Sequence, residues 1–117
     1  MTLRYDTVTL LSDFGHRDAF VGVMHSVLRQ MAPGVSVIDL NHEIDPFDVR
    51  AGSWCLARTV QYLAPGVIVG VVDPGVGTDR RGIAIEAADG DAVFVGPDNG
   101  LLTSAVSMIG GAERVVE

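Results

Sequence analysis

The sequence predicts an α/β fold: a mostly parallel central sheet with flanking helices and a late antiparallel hairpin. Three observations predict it. Short, dense apolar runs alternate with stretches whose apolar residues fall at helical spacing. The resulting order, strand–helix–strand–helix–strand, calls for right-handed crossovers and therefore parallel neighbours. Two later apolar runs then flank Asp89-Gly90-Asp91, a hairpin signal that adds an antiparallel pair.

Thr7 to Leu11 is a dense run of β-formers and makes the first strand. Asp18 reads as a helix N-cap, followed by Phe20, Val23, Met24, Val27, Leu28 and Met31 on one helical face. Pro33-Gly34 stops that helix, and Val35 to Leu40 is the second strand. The polar stretch Asn41 to Asp45 leads to Pro46, which suits the first position of a helix capped by Asp45. That helix carries Val49, Leu56, Val60 and Leu63 and ends at Pro65-Gly66. Val67 to Val72 is the most apolar strand and belongs in the middle of the sheet. Gly82 to Ala87 and Ala92 to Val95 form the hairpin. A short helix runs from Gly100 to about Met108, and Arg114 to Val116 opens another strand. A chain stopping in a strand is expected to need more polypeptide or a partner subunit.

At 117 residues the chain suits one compact domain. Hydrophobic residues make up 48% and charged residues 20%, which supports a core and argues against disorder. The net charge is −7, and all 8 basic residues are Arg. A phosphate-backbone binder needs a basic surface, so nucleic acid is excluded as a partner. An acidic balance suits a cationic or hydroxyl-rich ligand and also aids solubility. Cys55 is the one cysteine and lies among apolar residues, which favours a buried small hydrophobe over a nucleophile. No run approaches the ~18 apolar residues of a membrane span, and the N-terminus lacks a signal-peptide pattern. A cytoplasmic location without a membrane partner is the expectation.

In open parallel sheets ligands bind beyond the carboxyl ends of the strands. Three loops leave those ends: Ser12-Asp13-Phe14-Gly15, Asn41-His42-Glu43 and Asp73-Pro74-Gly75-Val76-Gly77. The first and third bring an Asp to one crevice. Asp13 suits a turn bonding nearby amides, which is the favoured role when it is taken alone. It also suits a ribose diol, since a carboxylate accepts both hydroxyl protons. Asp73 has the same two readings in a more suggestive context. Its loop is Gly-rich, so a ligand can approach the backbone, and Arg80 follows seven residues on and can fold back to pair with it. Gly75-Val76-Gly77 lacks the third Gly and the helix of a dinucleotide fingerprint.

His16, His25 and His42 lack metal-ligand spacing. His25 reads as a packing or surface residue. His42 either lines the crevice or has a structural role. Phe47 suits the core, or an aromatic stacked on a planar ring. Pro97-Asp98-Asn99-Gly100 reads as a turn and helix cap, or as a border of the site. A metal held by Asp13 and Asp73 is a weaker third reading.

Six segments in order resemble one family. They are Leu10-Leu11-Ser12-Asp13-Phe14-Gly15, Asp18-Ala19-Phe20-Val21-Gly22-Val23-Met24, Ile44-Asp45-Pro46-Phe47-Asp48-Val49, Val71-Val72-Asp73-Pro74-Gly75-Val76-Gly77, Arg80-Arg81 and Pro97-Asp98-Asn99-Gly100-Leu101-Leu102-Thr103. The chain resembles the S-adenosylmethionine (SAM) hydroxide adenosyltransferases, relatives of fluorinating and chlorinating enzymes. The resemblance implies hydrolysis of SAM to adenosine and L-methionine, with no metal and no cofactor beyond that substrate. It implies catalytic roles for Asp73 and Arg80, and substrate-binding roles for Asp13 (ribose), Asp18, Phe20, Phe47 and Asn99. It also implies a catalytic His in a later segment that this chain does not contain, a C-terminal β-domain likewise absent, and a homotrimer with sites between subunits. Residues 1–117 would then be one nucleoside-binding domain, most of a larger N-terminal domain. Asp73 stands where the fluorinating enzyme has a Tyr, and that enzyme's long insertion is absent, which favours a hydrolase. The alternative is a non-catalytic adenosine-binding or oligomerisation module.

Overall fold

The computed structural model describes residues 4–117. The expected α/β architecture is present, with a six-stranded sheet in the order β2-β1-β3-β5-β4-β6. The elements are β1 (Thr7–Ser12), α1 (Phe20–Met31), β2 (Ser36–Asn41), α2 (Val49–Thr59), β3 (Gly66–Val71), β4 (Gly82–Ala87), β5 (Ala92–Pro97), α3 (Thr103–Met108) and β6 (Arg114–Val116). β1 pairs in parallel with β2 and β3, and β3 with β5. β4 runs antiparallel to both β5 and β6. Among the described residues, the antiparallel component is therefore this one strand, inserted between two that point the other way.

Right-handed crossovers dictate where the helices lie. The step from β1 to β2 moves one way along the sheet, and the step from β2 to β3 moves back across β1. α1 and α2 therefore sit on opposite faces. α2 and α3 cover one face with a buried cluster that includes Cys55, Leu56, Val72, Phe94, Leu101 and Leu102. Cys55 is a free, buried thiol, as its apolar neighbours predict. α1 buries only Val21 of its own residues and leaves Phe20, Val23, Val27 and Met31 exposed in a stripe. β1 and β3 lie inside the sheet, so the most apolar strand is interior as expected.

Three local expectations fail, each for a physical reason. Asp18 does not cap α1. The cap position is Ala19, and the Asp18 carboxylate accepts the adjacent Ala19 N–H at 2.6 Å, too early to reach the first turn. Asp45 and Pro46 do not open α2. Asp48 is the cap, accepting the Ala51 N–H at 2.9 Å, and the helix begins at Val49. Residues 45–48 instead form a β-turn closed by the Asp48 N–H on the Asp45 carbonyl at 3.0 Å. Pro46 fixes its second position and Phe47 takes a left-handed φ of 63° at the third. Finally, α2 does not reach Leu63: it ends at Thr59 and tightens into one 3₁₀ turn, Val60–Tyr62. No helix among the described residues is long and apolar enough to cross a membrane.

Candidate functional site

The chain order reverses between β1 and β3, whose successors leave in opposite directions. Such a switch point opens a crevice at the carboxyl ends of the two strands. The loops leaving those ends carry Asp13 and Asp73. A cleft of about 310 Å³ lies between them, lined by Asp13, Phe14, Phe20, Phe47, Asp73 and Val76 among others.

The Asp73 side of the cleft rests on two turns. The Val76 N–H donates to the Asp73 carbonyl at 3.2 Å, and the Thr78 N–H to the Gly75 carbonyl at 3.1 Å. These reverse the chain so that Arg80 folds back on Asp73. The Arg80 Nε–H lies 2.9 Å from both Asp73 carboxylate oxygens, and its Nη2 also donates to Oδ2. The geometry is the bidentate fork that guanidinium and carboxylate share. Asp73 is buried at 8% exposure, while the Arg80 side chain keeps 31%. The hydrogen bond to Asp73 raises the Arg80 pKa above its ordinary value. Glycine is favoured at two positions here. A Cβ on Gly75 would sit 3.1 Å from Arg80 Cγ, and Gly77 adopts φ +82°.

The Asp13 side is built differently. The Asp13 N–H donates to the Val71 carbonyl at 3.3 Å, tying the loop after β1 to the end of β3. Asp13 Oδ2 accepts the Phe47 N–H at 2.7 Å. That bond holds Phe47 in its left-handed conformation, which costs a bulky residue about 1–3 kcal/mol. The Phe47 side chain is 63% exposed and Phe20 is 58% exposed. The Phe20 ring lies 5.6 Å from that of Phe14. Two exposed aromatic rings beside a carboxylate suit a ligand with a flat ring and hydroxyls.

The remaining candidates lie elsewhere. Asp18 is exposed and does not line the cleft. Asn99 uses both ends of its amide on the backbone. It donates to the Val72 carbonyl at 3.0 Å and accepts the Leu101 N–H at 3.1 Å. It therefore braces the residue before Asp73 and borders a separate groove with Asp48 and Trp54. Arg81 pairs with Asp98 on the surface at 2.6 Å, and that hydrogen bond raises its pKa.

His42 is almost completely buried, at 1% exposure. Its Nδ1 lies 2.6 Å from Ser12 Oγ and its Nε2 lies 2.7 Å from Asp39 Oδ1. His25 Nε2 also reaches both Asp39 oxygens at 3.0 Å. Burial pushes the Asp39 carboxyl up, but the hydrogen bonds from His42 and His25 outweigh it and hold the pKa below its ordinary value. His16 stacks edge-on against His42 at 5.4 Å. No group of three or more His, Cys, Asp or Glu among the described residues could hold a metal ion. A cation placed between Asp13 and Asp73 would also have to displace the Arg80 guanidinium.

An open α/β sheet with a carboxylate from each switch-point loop and two aromatic rings at the mouth is the arrangement in which domains of the doubly wound class bind ligands. Comparison with known proteins gives the family. The model for the SAM hydroxide adenosyltransferase N-terminal domain matches residues 8–117, and the chain belongs to that family. A protein of Salinispora arenicola named (R)-S-adenosyl-L-methionine hydrolase is 49% identical over 110 residues, covering 94% of this chain and 41% of that protein. A fluorinase of Actinoplanes sp. is more distant, 25% identical over 128 residues, covering 91% of this chain and 43% of that protein. The crystal structure of an uncharacterized conserved protein from Thermotoga maritima superposes with a TM-score of 0.86 at 37% identity, over 92% of this chain and 41% of that one. The chain thus spans about two fifths of the length of these relatives.

Proposed function

We propose that this domain binds the adenosyl part of S-adenosyl-L-methionine and takes part in its hydrolysis to adenosine and L-methionine. The observation that carries the proposal is the convergence of Asp13 and Asp73, the latter held by Arg80, on one aromatic-lined cleft. The hydrolase name of the 49%-identical relative supports the same reading. In the proposed reaction a water oxygen attacks the 5′ carbon. The C5′–O bond forms as the C5′–S bond breaks, and the bonding pair leaves on sulfur. The sulfonium becomes the neutral thioether of methionine, and the water gives up one proton to bulk solvent.

The sulfonium is an activated leaving group, so no acid has to protonate it. What remains is to orient the water and separate it from bulk solvent, effects of order 7–11 kcal/mol in well-aligned cases. Asp73 accepts a hydrogen bond from the attacking water, and Arg80 fixes the carboxylate. The pairing has a second use. The substrate loses its positive charge in the transition state, so an unpaired carboxylate would stabilise the ground state more strongly. A carboxylate already neutralised by Arg80 avoids that loss. Asp13 takes the ribose diol, Phe20 and Phe47 pack on the nucleoside, and Asn99 acts indirectly by bracing the residue before Asp73. The exposed stripe on α1 suits the subunit contacts of a homotrimer.

Incubating SAM with a full chain that carries this domain at the length of its relatives, and separating the products, tests the proposal. Adenosine and methionine in equal amounts are expected. No turnover in the full chain overturns it. One observation favours a second reading, a binding module without turnover: none of His16, His25 or His42 lines the cleft with Asp73. Calorimetric binding of adenosine with no product release would establish that reading instead.

A further inference from the structure

Ser12 and His42 form a buried polar pair beside the Asp13 loop, and the pair ends on the Asp39 carboxylate, whose side chain is 39% exposed. The order Ser–His–Asp resembles a hydrolytic triad, but Ser12 is 0% exposed and cannot reach a substrate. The three groups must therefore act on their own surroundings. The Ser12 Oγ accepts the Phe14 N–H at 3.3 Å, and the His42 carbonyl accepts the Gly15 N–H at 2.7 Å. His42 thus grips the residues on the far side of Asp13 twice, once through Ser12 and once through its own backbone.

The direction of the bonds follows from what each group can give. Asp39 is a carboxylate facing two imidazoles, so it accepts from His42 Nε2–H and from His25 Nε2–H. A proton on Nε2 leaves the neutral His42 ring with Nδ1 as an acceptor, and the Ser12 hydroxyl donates to it. The hydroxyl oxygen then has its lone pairs turned toward the Phe14 N–H. Were Nδ1 to carry the proton, the Ser12 hydroxyl would need another acceptor, and an unmatched polar hydrogen at a fully buried site is costly.

We propose that His42 is a positioning residue. Held as the Nε2–H tautomer by Asp39, it orients Ser12 and thereby presets the Phe14–Gly15 backbone that aims the Asp13 carboxylate. The inference rests on the nucleoside-binding reading above in one respect only, that Asp13 meets the ribose. A misaimed Asp13 weakens contacts that are the same in ground and transition states, so KM rises and kcat stays.

The two faces of His42 can be removed separately. In His42→Asn the side-chain oxygen takes the place of Nδ1 and still accepts from Ser12. In His42→Gln the amide takes the place of Nε2 and reaches Asp39 only. Assayed in the full chain, Ser12→Ala and His42→Gln are expected to raise the KM for SAM about tenfold, with kcat within about twofold, as one lost buried hydrogen bond implies. His42→Asn is expected to remain within about threefold of the parent KM on the same grounds. Equal impairment of His42→Asn and His42→Gln overturns the proposal, as does an unchanged KM in Ser12→Ala.

Two measurements decide the matter without turnover. Long-range ¹H–¹⁵N correlation spectra read the His42 tautomer; protonated Nε2 and bare Nδ1 are expected, and the reverse refutes the relay. Amide exchange at Phe14 and Gly15 should quicken in His42→Gln and Ser12→Ala but not in His42→Asn. A parent protein that neither binds nor cleaves SAM removes the proposed function, while these spectra still test the relay. Variants that lose their cooperative thermal transition are replaced in the comparison by Ser12→Ala, which removes one atom.

Discussion

The two walls of the cleft hold their carboxylates by opposite means. On the β1 wall, Asp13 sits in a loop fixed by backbone hydrogen bonds and a buried polar chain, with its own carboxylate turned toward the Phe47 amide. On the β3 wall, Asp73 sits in a glycine-rich double turn and is fixed by one guanidinium that remains partly exposed. The first arrangement suits recognition, because a ligand met by a preset group loses little to ordering it. The second suits chemistry, because the carboxylate lining the cleft is held by a charged group that offsets its own charge. The contrast predicts that damage to the β1 wall appears in binding and damage to the β3 wall in rate.

The largest effect should come from Asp73→Asn. It keeps the shape and removes the charge, and kcat should fall about 10²–10⁴-fold with KM nearly unchanged, read as adenosine release. A large KM change with kcat preserved would erase the contrast. Next, Asp13→Ala should weaken adenosine binding about 10–100-fold by calorimetry, since hydrogen bonds to a charged group are each worth about 1.5–3 kcal/mol. Asp13→Asn should lose less, because it still accepts the Phe47 N–H. Smaller again is Gly75→Ala. Its methyl would press on Arg80 Cγ at 3.1 Å and loosen the ion pair. A rate loss of about two- to tenfold without altered adenosine affinity is expected, corresponding to part of one hydrogen bond.

The smallest effect is on acid stability. The Asp39 pKa is lowered by folding. Its contribution is fully present above the ordinary carboxylate pKa and is lost as pH falls through the lowered folded value. Asp39→Asn should therefore lower stability by that contribution near neutrality, with the variant and parent curves converging as pH falls through the acid window. Asp39 is partly exposed, so the change is modest. Melting curves across the acid range would reveal it.

Much of this was legible in the sequence because strand ends are punctuated. Asp13 and Asp73 each follow a dense apolar run, and parallel order places such ends together. The pairing of Asp73 with Arg80 was legible as well, because two turns of local sequence suffice to bring them together. The start of α2 was misread because Asp45 and Asp48 are both competent caps. The choice fell to Asp48 once Asp13, from another element, fixed the Phe47 amide. A structural role for His42 was one of two readings of the sequence, but its partners were illegible for a related reason. Its partner Ser12 lies 30 residues away, and only the pairing of β1 with β2 brings them together. Asn99 was read as a turn residue or as bordering the site, and both ends of its amide meet the backbone.

The contrast between the walls requires one nucleoside to span both. A crystal structure of the full chain grown with adenosine tests it most directly. The ribose hydroxyls are expected on the Asp13 carboxylate, the base against Phe20 or Phe47, and the 5′ carbon facing Asp73. Adenosine seated instead in the groove beside Trp54 and Asn99, or with its ribose turned away from Asp13, would contradict it.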